Sequence, residues 1–120
     1  YGIRQVAYDR KFSAYIVPQL LELDVDLQPF GQGYLSMSAP SKLLERILIS
    51  GKLSGINEVM RWQFSCCKIV RDPADNIKVT KGRNKAGEMV DGVVSLIMAL
   101  GQSELEQDTD DLDAYTVFTL

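Results

Sequence analysis

The sequence predicts a single α/β domain in which short strands alternate with helices. Apolar and polar residues alternate over 3–9 and 25–30, apolar residues recur at helical spacing between and after these segments, and turn-forming residues separate most of them. Strands that alternate with helices are typical of layered α/β folds. A hairpin later in the chain makes the expected sheet mixed. The 120 residues are enough for one such domain with one core.

The first third of the chain predicts a strand, a helix and a second strand. Residues 3–9 form the first strand, which ends at Asp9. Apolar residues at 12, 16, 20 and 23 then predict a helix with a buried stripe and with Ser13 as its N-cap. Pro18 lies inside this pattern, so the helix either kinks there or begins its regular part close to it. Residues 25–30 form the second strand.

Two more helices are predicted in the middle of the chain. In SAPSKLLERILISG, Ser38 or Ser41 can cap the helix, Pro40 suits its first turn and Gly51 ends it. Residues 57–67 present apolar side chains on one face and predict a third helix. The buried stripe of the earlier helix comprises four aliphatic residues: Leu43, Leu44, Ile47 and Leu48.

The last part of the chain predicts a hairpin and a buried helix. Strands at 69–71 and 77–80 are joined by the turn-rich DPADN. The closing helix begins at 87 or 88, is apolar almost all round, and ends at Gly101. Residues 102–113 are expected to be mobile. The final AYTVFTL alternates in a way that can pair with a sheet edge, here or in a partner.

The composition excludes several classes of chemistry. The chain contains no histidine, which excludes a Ser/His/Asp triad, a Cys/His pair and most zinc sites unless another chain contributes. Cys66 and Cys67 are adjacent, a spacing that does not suit a disulfide, so a reducing compartment is expected. No apolar run approaches the ~20 residues that span a bilayer. Carboxylates and lysines must therefore carry any acid/base or metal chemistry.

The net charge of −3 is unevenly distributed. Residues 104–113 hold six of the sixteen acids and no base, which leaves thirteen bases against ten acids elsewhere. Six cations lie between 68 and 85, against Asp72 and Asp75. This basic segment has two interpretations that the residues alone leave equal: a solvated hairpin face, or a face that contacts phosphate.

Two acids stand out from the rest because they flank elements that are expected to be buried. Asp9 ends the first strand, and Asp91 opens the closing helix. An aspartate at a helix start is often explained by the helix dipole alone, which contributes about 0.3–1 kcal/mol. The functional interpretation is that the two carboxylates hold divalent metal, since Mg²⁺ prefers oxygen ligands. Two aspartates are few for two metal ions, so a third carboxylate is expected.

Several motifs stand out by their order and spacing: AYDR (7–10), MSAPSKLLERILISGKL (37–53), MRW (60–62), DPADNIKVTK (72–81) and MVDGVVSLIMALG (89–101). In this order they resemble the C-terminal nuclease domain of the large terminase subunit of tailed bacteriophages. The resemblance covers residues 6–101, and these motifs are its most specific parts.

This resemblance implies a ribonuclease H-like fold, with a mixed sheet flanked by helices. It also implies that the domain cuts concatemeric viral DNA with two Mg²⁺ or Mn²⁺ ions. Asp9 matches the family's second metal ligand and Asp91 its third. The first ligand lies on an earlier strand that has no counterpart here. Residues 1–101 are therefore expected to be the C-terminal part of the nuclease domain, with its opening strands missing. Residues 102–120 are expected to form an acidic, flexible tail.

The resemblance also implies partners and further contacts. Lys81 matches a family lysine and is expected to contact substrate, and Lys78, Arg83 and Lys85 are expected to face DNA. Cys66 stands where the family often has Asn, so a role tied to that amide is not carried over. The implied partners are double-stranded viral DNA, an ATPase domain of the same parent protein, the terminase small subunit and the portal, in the host bacterial cytoplasm and with no membrane.

Two further expectations follow from the same sequence. An exposed sheet edge, left by missing strands, invites dimerisation. The alternative to a nuclease is a non-catalytic DNA-binding or packaging-assembly module, in which the basic hairpin touches nucleic acid and the acidic tail meets another packaging component.

Overall fold

The computed structural model describes residues 2–11, 13–82 and 87–106. Helices and strands alternate over the first part of these ranges, as predicted, and a hairpin and a long helix complete them. The elements are β1 (Gln5–Tyr8), α1 (Ile16–Leu21), β2 (Asp26–Pro29), α2 (Tyr34–Ile49), α3 (Glu58–Cys66), β3 (Cys67–Arg71), β4 (Ile77–Lys81) and α4 (Asp91–Glu106).

The strands form two separate pairs in the described residues, whereas one mixed sheet was expected. β1 and β2 are parallel, with Gln5 opposite Asp26, and β3 and β4 are antiparallel. The reason lies at the outer edge of β4, which meets a helix instead of another strand. There the backbone N–H of Ile77 donates to the Ser38 hydroxyl of α2 over 3.1 Å. A helix side chain thus satisfies an edge donor that would otherwise need a strand.

The core lies between α2 and α4. Val93 and Ile97 of α4 and Met37 of α2 are almost completely buried. The buried cluster also contains Phe30 and several aliphatic residues from both helices, which are Leu43, Leu44, Ile47, Leu96, Met98 and Leu100. The prediction that the closing helix is buried is confirmed. Leu48 was placed in the buried stripe of α2, but its side chain is 41% exposed.

The start of α2 was predicted wrongly. The helix begins at Tyr34 after an extended Gly33, so Ser38 and Ser41 are buried inside the helix and cap nothing. Pro40 lies in the interior of the helix, where it has no N–H to donate to the carbonyl of Ser36. Local spacing favoured the serine caps. Ser38 instead makes the tertiary contact with the hairpin that is described above.

The end of α4 was also predicted wrongly, because the helix continues five residues past Gly101 to Glu106. A Cβ built at Gly101 would lie 2.5 Å from Cζ of Phe30 and 3.2 Å from Cγ of Pro40. Glycine is therefore needed for the close approach of the Phe30 ring to α4, and it does not mark a helix end. Residues 102–106, expected to be mobile, are helical, and residues 107–113 and the AYTVFTL tail lie outside the described residues.

Helix α1 differs most from its prediction. It spans six residues, none of which is buried, and Ile16 and Leu23 of the predicted stripe are 50% and 68% exposed. Its N-cap is Tyr15 instead of Ser13, although the Ser13 carbonyl accepts from the N–H groups of Ile16 and Val17. Pro18 is the third residue of the helix, so the regular part begins close to it, which is the second of the two predicted alternatives.

The other elements follow local rules and match their predictions. Asn57 caps α3, with its side chain accepting from the N–H of Met60 over 2.9 Å. Gly51, with φ +67°, follows the end of α2 as predicted. No helix in the described ranges is long and apolar enough to cross a membrane.

Two buried serines of α2 provide a matched test of the edge contact. Ser38→Ala leaves the buried N–H of Ile77 without a partner, which lowers the free energy of unfolding by about 1–3 kcal/mol. Ser41→Ala removes a buried hydroxyl that has no hydrogen-bond partner among the described residues, so stability stays equal or rises. Urea unfolding of both variants measures this difference, and equal losses would contradict the role given to Ser38.

Candidate functional site

Asp9 lies directly after β1, the strand that α4 covers. Its position is held by the parallel pairing of β1 with β2 and by the N–H of Phe30, which donates to the Tyr8 carbonyl over 2.8 Å. Asp9 is half-buried, and its Oδ1 accepts from the backbone N–H of Lys11 over 3.0 Å. This local hydrogen bond turns the chain sharply after the strand and fixes the orientation of the carboxylate.

Asp91 is the first residue of α4 and is exposed to solvent. The next residue, Gly92, donates its N–H to Oε1 of Gln63 on α3 over 2.7 Å. Four N–H groups at a helix start lack partners inside the helix, and the Gln63 side chain satisfies one of them. Asp91 opens the buried helix, as predicted, but the start of the helix at 87 or 88 was predicted three or four residues too early.

The hydrogen bonds along α4 give its direction relative to β1. Gln102, near the end of α4, donates to the side chain of Gln5 at the start of β1 over 2.8 Å. Gln32, beyond the end of β2, contacts Sδ of Met98 at 3.5 Å. The C-terminal part of α4 therefore lies beside the start of β1. Asp91 precedes Gln102 by eleven residues, roughly 16 Å along the helix axis, and so lies away from the start of β1.

The carboxylates in the described residues remain few around this site. No group of three or more histidine, cysteine, aspartate or glutamate side chains that could hold a metal ion occurs within residues 2–11, 13–82 and 87–106. In the same ranges neither Asp9 nor Asp91 forms a salt bridge with a lysine or arginine. Both carboxylates can therefore donate oxygen to a hard cation, and a complete site needs a ligand from elsewhere.

The acids of the hairpin turn are structural, as predicted. Asp72 accepts from the N–H groups of Ala74 and Asn76, and the Asn76 side chain, which donates to it over 2.9 Å, lowers the pKa of Asp72 below its ordinary range. Asp75 pairs with Arg71 over 2.7 Å. These contacts close the DPADN turn, so the turn itself accounts for both acids and neither is a candidate site residue.

The cations of the hairpin divide between its two faces. Strand register places Lys68 and Lys78 on one face, and Arg71 and Lys81 on the other. Nζ of Lys78 lies 4.9 Å from the ring centroid of Tyr34, a cation–π contact that ties β4 to α2. Lys81 is exposed at the end of β4. The described cations therefore do not form one basic stripe, and Lys81 is the more accessible of the two lysines predicted to face DNA.

The remaining predicted contacts, Arg83 and Lys85, lie outside the described residues. Two polar residues near Asp91 were missed by sequence reasoning. One is Gln63, described above; the other is Glu88, whose Oε2 is buried without a hydrogen-bond partner in the described part of the chain and lies against Gly82. Gln63 could have been singled out from the sequence, because it is a polar residue beside the apolar face of α3 that includes Met60 and Phe64.

The two cysteines are poor candidates for chemistry. Both are free thiols, Cys66 buried and Cys67 half-buried. Burial, followed by the neighbouring Cys66, raises the pKa of Cys67 from 9.0 to about 11. Since the thiolate is the nucleophile and metal ligand, Cys67 is a packing residue at neutral pH.

The fold and the two acids define a small α/β domain with one carboxylate after a covered strand and another at the head of a buried helix. The family model for the terminase large subunit, endonuclease domain, matches residues 1–107, and the chain belongs to this family.

Two curated proteins are similar to the chain in sequence. The chain is 33% identical over 104 residues to Protein YmfN of Escherichia coli (strain K12). This alignment covers 81% of the chain and 23% of Protein YmfN. It is 29% identical over 96 residues to the terminase, large subunit, of Enterobacteria phage HK97. This alignment covers 78% of the chain and 19% of the phage protein. The chain thus spans about a fifth to a quarter of the length of the relatives it matches.

The fold agrees with a solved structure as well. The crystal structure of the HK97 bacteriophage large terminase superposes with a TM-score of 0.71 and 25% sequence identity. The match covers 85% of this chain and 22% of that one. The expected family is therefore confirmed by sequence and by structure.

The raised pKa of Cys67 predicts slow alkylation. At pH 8 a pKa of about 11 leaves on the order of 0.1% thiolate, roughly a hundredfold less than an ordinary thiol. In Cys66→Ala, which removes the smaller of the two causes of the raised pKa and leaves the burial of Cys67, iodoacetamide should react at least about tenfold more slowly in buffer than in urea. The rate in buffer should rise about tenfold per pH unit up to pH 10. Equal rates in buffer and urea would show that burial does not protect this thiol.

Proposed function

We propose that this chain is a metal-dependent endonuclease domain that cuts concatemeric viral DNA during genome packaging, with Asp9 and Asp91 as metal ligands. The observation that carries the proposal is the position of these two acids in a chain of the terminase endonuclease family. One follows β1, the other opens α4, and α4 packs against β1. Two side chains on rigid, packed elements are suited to holding a ligand set in place.

The donor set fits Mg²⁺ or Mn²⁺. Both candidate ligands are carboxylates, the region has no histidine, and the raised pKa of Cys67 keeps its sulfur protonated. When bound, a pair of such ions activates a water molecule and stabilises the leaving oxygen of a phosphodiester. The described residues supply two of the acids, so the proposal requires a third ligand from outside them.

The chain's own residues have separate tasks in this proposal. The hydrogen bond from Lys11 N–H to Asp9 Oδ1 orients that carboxylate and leaves Oδ2 to bind metal. Asp91 offers its carboxylate at the exposed head of α4, where solvent and substrate have access. Lys81, together with Arg83 and Lys85, neutralises the phosphates of the bound DNA, whereas Lys78, also predicted to face DNA, lies on the opposite face of the hairpin against the Tyr34 ring.

The wider role is part of the same proposal and concerns a polypeptide longer than this chain. The proposal places the domain in a polypeptide that includes an ATPase domain, and it acts with the terminase small subunit and the portal in the host bacterial cytoplasm. Dimerisation through an open sheet edge belongs to the same proposal. β1 is paired only with β2 among the described residues, so its other edge is open to a further strand.

A second candidate function is a non-catalytic DNA-binding or packaging-assembly module. The observation in its favour is the combination of exposed hairpin cations, such as Lys68 and Lys81, with only two acids at the described site. In that case the hairpin binds DNA through phosphate contacts, and Asp9 and Asp91 have structural roles only.

Removing either acid should abolish metal-dependent cutting. Asp9→Asn and Asp91→Asn delete a charged oxygen ligand, and losing even an outer partner of a metal site typically costs 10–100-fold, so plasmid nicking should fall by at least about 100-fold. Nicking is measured with a titration of Mg²⁺ and of Mn²⁺, and DNA binding is measured in parallel. Binding should persist in both variants, because the acids contribute no phosphate contacts.

The matched control is Asp24→Asn. Asp24 is exposed and has φ +55°, a conformation that asparagine tolerates, so this variant should nick DNA like the unmutated chain. An unmutated chain that binds DNA but shows no metal-dependent nicking would favour the binding module for this chain by itself. Full nicking by Asp9→Asn or Asp91→Asn would reject the metal-ligand assignment.

Lys81 should contribute one phosphate contact to DNA binding. Lys81→Ala should weaken binding of a 20-base-pair duplex and reduce the salt slope by about one, without changing sequence preference. The slope is measured by fluorescence anisotropy between 50 and 200 mM salt. Lys52→Ala, an exposed lysine outside the hairpin, is the control with unchanged slope. Equal slopes for the two variants would remove Lys81 from the DNA interface.

A further inference from the structure

The start of α4 is attached to α3 through one side chain. Oε1 of Gln63 accepts the N–H of Gly92 over 2.7 Å, and the two residues are half-buried. Gly92 directly follows Asp91, so this hydrogen bond constrains the peptide that carries the Asp91 carboxylate. A short hydrogen bond from a partly buried side chain limits how the first turn of a helix can fray.

The contact depends on glycine at position 92. A Cβ built there would lie 2.8 Å from Oε1 of Gln63 and 3.1 Å from Sδ of Met60. Both distances are shorter than ordinary van der Waals contact, so a larger residue would displace the side chains of Gln63 and Met60 from the head of α4. Asp91 is thus followed by the one residue that lets the Gln63 amide reach the helix backbone.

Gln63 is itself held in place. Asn57 caps the start of α3, and Met60 and Phe64, on either side of Gln63, pack against the core. A polar group on a well-packed helix is a fixed reference point for its partner. The side chain of Asp91 has no salt bridge in the described residues, so its placement relies on the backbone of the first turn.

We infer that Gln63 is a positioning residue, which fixes the first turn of α4 and thereby orients the Asp91 carboxylate towards bound metal. This inference rests on the proposed function, because it takes Asp91 as a metal ligand. Gln63 itself touches neither metal nor DNA in this role. It acts through the Gly92 N–H, as the partners that orient metal ligands commonly do.

The test compares three glutamine variants of the full chain. Gln63→Met keeps the length of the side chain and removes the acceptor, whereas Gln63→Glu keeps an acceptor oxygen. Gln102→Met removes a similar hydrogen bond, 2.8 Å long, from the opposite end of α4. The readouts are Mn²⁺ affinity, followed by titration calorimetry, and hydrogen exchange of the Gly92 amide, followed by NMR.

Gln63→Met should weaken Mn²⁺ affinity about tenfold or more and speed exchange of the Gly92 amide. Gln63→Glu should keep the amide protected and bind Mn²⁺ at least as well as the unmutated chain. Gln102→Met should leave both readouts unchanged even if it lowers thermal stability. A loss of Mn²⁺ affinity that is equal in Gln63→Met and Gln102→Met, or absent from both, would overturn the inference.

Two further variants keep the test decisive. If Gln63→Met fails to fold, Gly92→Ala displaces Gln63 instead and should weaken Mn²⁺ affinity in the same direction; unchanged affinity would overturn the inference. Asp91→Asn separates the two claims. Unchanged affinity in Asp91→Asn rejects the proposed function and the inference with it, whereas a loss in Asp91→Asn without one in Gln63→Met rejects the inference alone.

Discussion

The burial of α4 is the constraint on which the rest of the structure depends. This helix packs against α2, α3 and β1, and its residues Val93 and Ile97 are almost fully removed from water. Fully burying one such side chain contributes about 1.5–3 kcal/mol, so the set along α4 dominates the stability of a domain this small. The gap at Gly101, which admits the Phe30 ring, extends this packing to the segment that follows β2.

The same burial explains how the domain can support a site with so few polar groups. A helix held on three sides cannot shift easily, and its first residue, Asp91, is consequently held near a defined position. Asp9 gains a comparable constraint from the pairing of β1 with β2 and from its hydrogen bond to Lys11 N–H. The stability of the fold and the proposed function therefore depend on the same contacts, because the packing of α4 and the pairing of β1 with β2 also constrain the two acids.

Elements governed by neighbours in sequence were predicted well, and elements governed by distant contacts were not. The helix predicted over 57–67 and the DPADN turn depend on residues within four positions, so their spacing in the sequence is sufficient to predict them. Ser38, however, accepts a hydrogen bond from Ile77, and Gly101 leaves room for the ring of Phe30. These partners are distant in sequence, so local periodicity cannot predict the contacts. The positions of Asp9 and Asp91 were predictable because each lies at the boundary of an element. The contact of Gln63 was not, since it joins two helices.

We propose that Asp9 and Asp91 hold divalent metal together. The most direct test of this proposal is a crystal structure of the chain grown with Mn²⁺, in which anomalous scattering locates the ions. We expect manganese bound by carboxylate oxygens of both residues, either one shared ion or two ions about 3.5–4 Å apart. Carboxylates of Asp9 and Asp91 separated by more than about 8 Å, with no manganese between them, would contradict it, because such a gap exceeds what a paired-ion site can span.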